Sequence, residues 1–198
     1  MRIAIEINGV LRNTIDKIEQ TYQKYMIDKT EGLDDEESFK YEINLPVTSL
    51  ELRNHFKFQT DEELYSFLYE EFPMEIFGHS QSSEYSTFND LNDLYIKLRD
   101  NHELLIVSDE MGRSKPASLF FLSKFGCQLE KVKFYSNITI NSMWDEIDVL
   151  LTSNPTLLLE HPTDKKIIKY QTEYNKHIYA EHSITNLNEM ELVLKKLL

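Results

Sequence analysis

The 198-residue sequence predicts an α/β protein with a doubly wound, mainly parallel sheet flanked by helices and a helical region inserted after the first strand. Three observations predict it. The chain opens on a buried-strand pattern, "RIAIEIN" at 2–8, closed by Gly9. From residue 103 short apolar runs alternate with helical patterns, which implies βαβ units and parallel strands joined by right-handed crossovers. Between these two parts lies a long helical, aromatic-rich stretch that no strand of the alternating series needs.

The elements follow in order. After the first strand, "TIDKIEQTYQKYMI" (14–27) places Ile15, Ile18, Tyr22, Tyr25 and Met26 at helical spacing. An acidic run at 34–37 reads as a solvated loop leading into a short strand near 39–45, because adjacent acids repel and lack the alternating ligands and Gly of a calcium loop. "TDEELYSFLYEEF" (60–72) begins with Thr60 and Glu63 in capping-box spacing. "GHSQSSEYS" reads as a loop, and "STFNDLNDLYIKL" aligns Phe88, Leu91, Leu94, Tyr95 and Leu98 on one helical face. Then come strand "ELLIVS", helix "SKPASLFFLSKFG" with Pro116 in its first turn and Gly126 past its end, strand "KVKFY", short helix "NSMWDEI", strand "DVLLT", short helix "NPTLLLEHP", strand "KIIKY" and a closing helix, "NLNEMELVLKKLL". The expected division is a core of 1–27 and 87–198 with an inserted region of 28–86.

Composition narrows the partners. A formal net charge of −13 disfavours binding to nucleic-acid phosphates or to an anionic membrane surface. No run of 18 apolar residues suggests a transmembrane helix, and the N-terminus lacks the plan of a signal peptide, so synthesis in a reducing intracellular compartment is expected. The single Cys127 reads as a small packing residue. Six scattered histidines form no His-x-x-x-His pair, and no Gly-rich phosphate loop appears.

Ligands of such a sheet bind beyond the carboxyl ends of its strands. Those ends carry Glu6 and Asn8, then Ser108 and Asp109 followed by Lys115-Pro116, then Thr152, Ser153 and Asn154. "IAIEINGVLRNT" resembles the first motif of the haloacid dehalogenase (HAD) superfamily, a hydrophobic strand followed by Asp-x-Asp-Gly. "LLIVSDEMGRSKP" resembles the second and third motifs, and "DVLLTSNPTLL" stands where the fourth, acidic motif belongs. The resemblance implies a HAD-like fold with a cap in the insertion. For the superfamily's phosphatases it implies an Asp nucleophile, a second Asp as acid/base, magnesium held with a fourth-motif acid, and phosphate held by Ser/Thr and Lys.

Carried over, the nucleophile position is Glu6, whose extra methylene moves the attacking oxygen forward; a misplacement of about 1 Å can cost about a hundredfold. The acid/base position is Asn8, which cannot shuttle a proton near neutral pH. The fourth-motif position is Thr152 or Ser153, both neutral, so a main anchor for magnesium is gone. Ser108 and Lys115 match the phosphate-binding pair, though they also read as a plain strand end and a solvated lysine.

These departures lead to the expectation of a chain that is not an enzyme, with no catalytic residue, metal or cofactor. The whole chain, including "EEFPMEIFGHSQSSEYSTFNDLND" and "SDEMGRSKPASLFFLSKFG", is similar to proteins of crAss-like tailed bacteriophages. That resemblance implies a virion component such as a neck or tail ring subunit. It would be made in host cytoplasm and would contact other virion proteins and copies of itself through the insertion and the last helix. The alternatives are a magnesium-dependent, nucleotidase-like phosphatase acting on a small phosphomonoester, with Glu6 in an altered mechanism, and a soluble binder of phosphorylated ligands through Ser108 and Lys115.

Overall fold

The computed structural model describes residues 1–30 and 46–197. Six strands form one sheet in the order β3-β2-β1-β4-β5-β6: β1 (Arg2–Glu6), β2 (Glu103–Ser108), β3 (Val132–Phe134), β4 (Val149–Thr152), β5 (Lys166–Tyr170) and β6 (Ser183–Ile184). Every neighbouring pair is parallel. The interior strands are continuous apolar runs because helices cover both faces; Ile3, Ala4, Ile5, Ile106, Val107, Leu150 and Leu151 are almost wholly inaccessible to solvent. Register aligns Glu6 with Val107 and Ile5 with Leu151, so Glu6, Ser108 and Thr152 end three adjacent strands at one edge.

Helix α1 (Thr14–Thr30) follows β1, and the short helices α2 (Leu52–His55) and α3 (Asp61–Tyr65) come after it. Thr60 caps α3 by accepting from the Glu63 N–H at 3.1 Å; the Glu63 carboxylate takes the Gln59 N–H, one residue before the expected box partner. Beyond Tyr65 the chain loosens into two π-helical segments, Ser66–Glu71 and Met74–Gly78, separated by Phe72 and Pro73. The reason lies in the rings. Phe67, Phe72 and Phe77 recur every five residues, a spacing that an i→i+5 turn aligns and an α-helix does not. The Phe72 N–H bonds the Phe67 carbonyl at 3.2 Å, and their rings lie 5.2 Å apart.

The remaining helices are α4 (Thr87–Leu98), α5 (Ser114–Lys124), α6 (Ile140–Glu146), α7 (Pro155–Leu159) and α8 (Met190–Leu197), the last entered through a 3₁₀ turn at Leu187–Glu189. Asn186 and Glu189 close a reciprocal capping box there. Two apolar clusters cover the sheet faces. A third joins the inserted helices to α1 and α5: Ile18, Tyr22 and Met26 pack with Phe56, Phe58, Phe67, Ile76, Phe77 and Ala117. The aromatic side chains of the insertion thus bury largely on one another and on α1.

The observed fold is the one expected, an α/β doubly wound parallel sheet with a helical insertion after β1. Two details differ from expectation. β6, two residues long, was not expected, and the helix expected over 60–72 changes to π geometry after Tyr65. The expected strand near 39–45 and the acidic run at 34–37 lie outside the described residues.

Candidate active site

The strand ends meet the insertion at a cavity of about 190 Å³. Glu6, Asn8, Asp109, Ser153 and Tyr174 contribute from the core side, and Ile18, Leu52, Leu68, Tyr69 and Phe77 from α1 and the inserted helices. Glu6 is 1% exposed. Its Oε1 accepts from the Tyr135 hydroxyl at 2.8 Å, its Oε2 from the Thr152 hydroxyl, and the Ser153 N–H also donates to it. Even so, burial pushes the Glu6 carboxyl up to about 8, and the negative charge of Asp109 adds to the rise. The three donors pull the other way and do not cancel it. Next to this carboxylate, burial raises the Tyr135 hydroxyl well above its ordinary range.

Gly9 turns the chain out of β1 with a left-handed φ of +72°. A Cβ there would collide with the Tyr174 hydroxyl and Ser153 Oγ, so only glycine lets the loop pass. Ser153 Oγ then holds the loop, donating to the Asn8 carbonyl at 3.0 Å and lying 2.8 Å from the Tyr174 hydroxyl.

The Asn8 amide is oriented from both sides. Its Oδ1 accepts from Arg12 Nη2 at 2.5 Å and from the Thr14 hydroxyl at 2.8 Å. Its Nδ2 donates to Asp109 Oδ1 at 3.0 Å and reaches Ser108 Oγ at 3.4 Å. An amide supplies the donor and the acceptor this position needs; a carboxylate would face Asp109 with like charge. Asp109 itself is solvent-exposed.

Behind Asn8 sits a group that the strand-end survey did not select. The Arg12 guanidinium is fully buried. It pairs with buried Glu110, donates to the Phe77 carbonyl at 2.7 Å and to Ser118 Oγ at 2.6 Å, and lies 5.0 Å from the Phe77 ring centre. Burial pushes its pKa down, and Glu110 opposes that. The loop is also tied to the insertion through main-chain bonds from Asn13 to Gln81 and from Ser83 to Leu11, each 3.0 Å.

Of the expected site residues, Glu6, Asn8, Ser108, Thr152 and Ser153 come together. Lys115 does not line the cavity; it is exposed at the start of α5, its ammonium 5.6 Å from the Phe134 ring centre. Among the described residues no three His, Cys, Asp or Glu side chains converge on one point. The carboxylates on the cavity wall are those of Glu6 and Asp109. Magnesium keeps several waters and commonly takes only one or two protein carboxylates plus a substrate phosphate, so this wall fits it. No helix among the described residues is long and apolar enough to cross a membrane.

A scan against protein-family models finds no match, and neither does a search of curated proteins. Solved structures do match. A haloacid dehalogenase-like hydrolase of Burkholderia xenovorans superposes with a TM-score of 0.61 at 13% identity, covering 100% of this chain and 98% of its own. The HAD hydrolase YfnB of Bacillus subtilis, solved with magnesium, gives 0.62 at 12%, covering 98% of each chain. A protein of Clostridium acetobutylicum described as a predicted phosphatase gives 0.58 at 12%, again covering 98% of each.

These matches correct the expectation that the chain is not an enzyme, which rested on Glu6, Asn8 and Thr152/Ser153. These three structures, which share its fold over nearly their whole length, are described as hydrolases or as a phosphatase, and none of them as a virion part. The expectation judged each motif position singly. It looked for an acid at position 8 and gave no role to Asp109, a strand-end residue that Asn8 holds. From end to end the chain has the fold of the HAD-superfamily hydrolases.

Proposed function

We propose that this protein is a HAD-type phosphatase acting on a small phosphomonoester, with Glu6 as nucleophile. The observation that carries the reading is the placement of Glu6, a buried carboxylate at the tip of the central strand, on the wall of a cavity it shares with Asp109. Tyr135, Thr152 and the Ser153 N–H fix the carboxylate, which offsets its longer side chain by removing rotational freedom.

In the first step a Glu6 oxygen attacks phosphorus and the bond from phosphorus to the alcohol oxygen breaks. The departing alkoxide takes a proton from the Asp109 carboxyl, which Asn8 holds in place. In the second step Asp109 accepts a proton from water as that water attacks phosphorus. The acyl-phosphate bond breaks, releasing inorganic phosphate and the free carboxylate. Ser108 Oγ, beside the Asn8 amide, is placed to donate to a phosphoryl oxygen. The Glu6 carboxylate would hold a magnesium ion, which would supply positive charge for the phosphoryl oxygens and leave Asp109 to carry the proton. Lys115 joins the anion site if its side chain leaves the Phe134 ring.

The test is hydrolysis of a panel of small phosphomonoesters with and without magnesium, comparing the native chain with Glu6→Gln. The expected result is magnesium-dependent turnover that Glu6→Gln lowers by about 10³-fold or more. Equal turnover in the variant, or none in the native chain, overturns the reading.

A further inference from the structure

The walls of the cavity also say what kind of alcohol the phosphate is attached to, an inference that rests on the proposed phosphatase reading. The polar groups come mainly from the core, among them Glu6, Asn8, Asp109, Ser153 and Tyr174, with Thr14 at the head of α1. The opposite wall is apolar: Ile18, Leu68 and Phe77 are buried there, and the Tyr69 ring stacks on Phe77 at 5.6 Å with an interplanar angle of 9°. Among the described residues no Lys, Arg or His lines the cavity. The one guanidinium nearby, Arg12, is already committed to Glu110, Phe77, Ser118 and Asn8. The space, about 190 Å³, is below the usual size of pockets for larger ligands, roughly 300–1,000 Å³.

A phosphoryl group seated against Glu6 therefore directs its ester substituent toward leucine, isoleucine and a stacked ring pair. A sugar there loses water from each hydroxyl with few partners in return, a penalty of about tenfold in affinity per hydroxyl. A second anionic group, as in a bisphosphate or a phosphorylated acid, meets no cation.

We propose that the substrate is the phosphomonoester of a small apolar alcohol, aryl or branched alkyl, and that the Tyr69–Phe77 ring pair with Leu68 and Ile18 selects it against sugar phosphates and nucleotides. An aromatic leaving group gains most, since it extends the Tyr69–Phe77 stack.

The experiment compares kcat/KM in magnesium for phenyl phosphate, isobutyl phosphate, glucose 6-phosphate and AMP. Binding of phenol and of glucose to the magnesium-loaded protein is followed in parallel by ligand-observed NMR. The expected result is a preference of about a hundredfold or more for the phenyl and isobutyl esters, with phenol binding detected and glucose binding absent. The Leu68→Asn variant should narrow that preference. Equal or better turnover of glucose 6-phosphate or AMP overturns this proposal and leaves the phosphatase reading standing. If no ester is hydrolysed the phosphatase reading falls; a cavity that then binds glucose as well as phenol, or binds neither, overturns the apolar selection independently.

Discussion

The tip of β1 and the turn after β2 each bury a glutamate, and the two are treated in opposite ways. Glu110 is met by the guanidinium of Arg12, and a full positive charge answers its own. Glu6 is met by two hydroxyls and a main-chain N–H, all of them dipoles. Dipoles hold a carboxylate in place without holding it ionised, so burial and the Asp109 charge still push Glu6 up to about 8. An ion pair of this burial fixes architecture, whereas a carboxyl among neutral donors keeps a proton to gain or lose. The ion pair is linked to the cavity through one amide, Asn8, which touches Arg12 on one face and Asp109 on the other.

The largest effect expected from breaking this contrast falls on the ion pair. Glu110→Ala strands a fully buried guanidinium and should lower stability by about 3–5 kcal/mol, measured as a drop in the denaturation midpoint. The double replacement Arg12→Met with Glu110→Leu should lose less than that single change. A larger loss in the double variant would mean that the pair itself, and not the stranded charge, dominates.

The next effect is a pH dependence of stability with Glu6 as its source. Between its ordinary value of 4.5 and about 8 the unfolded chain has released a proton that the native chain still holds. This contribution is therefore complete below about 4.5 and is lost as pH rises through 8, amounting to at most about 5 kcal/mol. Glu6→Gln should flatten that part of the curve in melts taken from pH 5 to 8.5. The same proton governs the proposed chemistry. Because the attacking form is the carboxylate, turnover should rise with pH toward about 8.

A smaller change sharpens the role of the dipoles. Tyr135→Phe removes one donor to the Glu6 carboxylate, so the midpoint of the turnover profile should move upward by about one pH unit, with little change in fold. A downward move would contradict the hydrogen-bond direction. The smallest effect belongs to an exposed pair. Lys97→Ala cuts a 2.9 Å contact with Glu191 across α4 and α8, and the denaturation midpoint should not move measurably.

Much of the sheet was legible because its strands are short, apolar and bounded, as in "ELLIVS" and "DVLLT". Ser183–Ile184 gave no such signal, since two residues carry no period. The π segments are signalled only by rings spaced five apart, a spacing that lies outside the α period. At the site, scanning strand ends found Glu6, Asn8, Ser108 and Thr152. Tyr135 follows directly on β3 and the same scan, carried one strand further, reaches it. Arg12 is harder to find. An arginine by itself reads as solvated, and its partner lies 98 residues away; the available hint is its place right after the apolar pair Val10-Leu11.

Arg12 has a further consequence, for motion. Its guanidinium clamps the Phe77 carbonyl of the insertion to Ser118 of α5. Lifting the insertion at that point would strip acceptors from a buried charge, so that end behaves as a fixed hinge. The opposite rim carries Leu50, 39% exposed, and the short helix α2, which buries none of its residues. The inexpensive way to admit a molecule is to swing that rim outward, and amide hydrogens there should exchange much faster than those around Phe77.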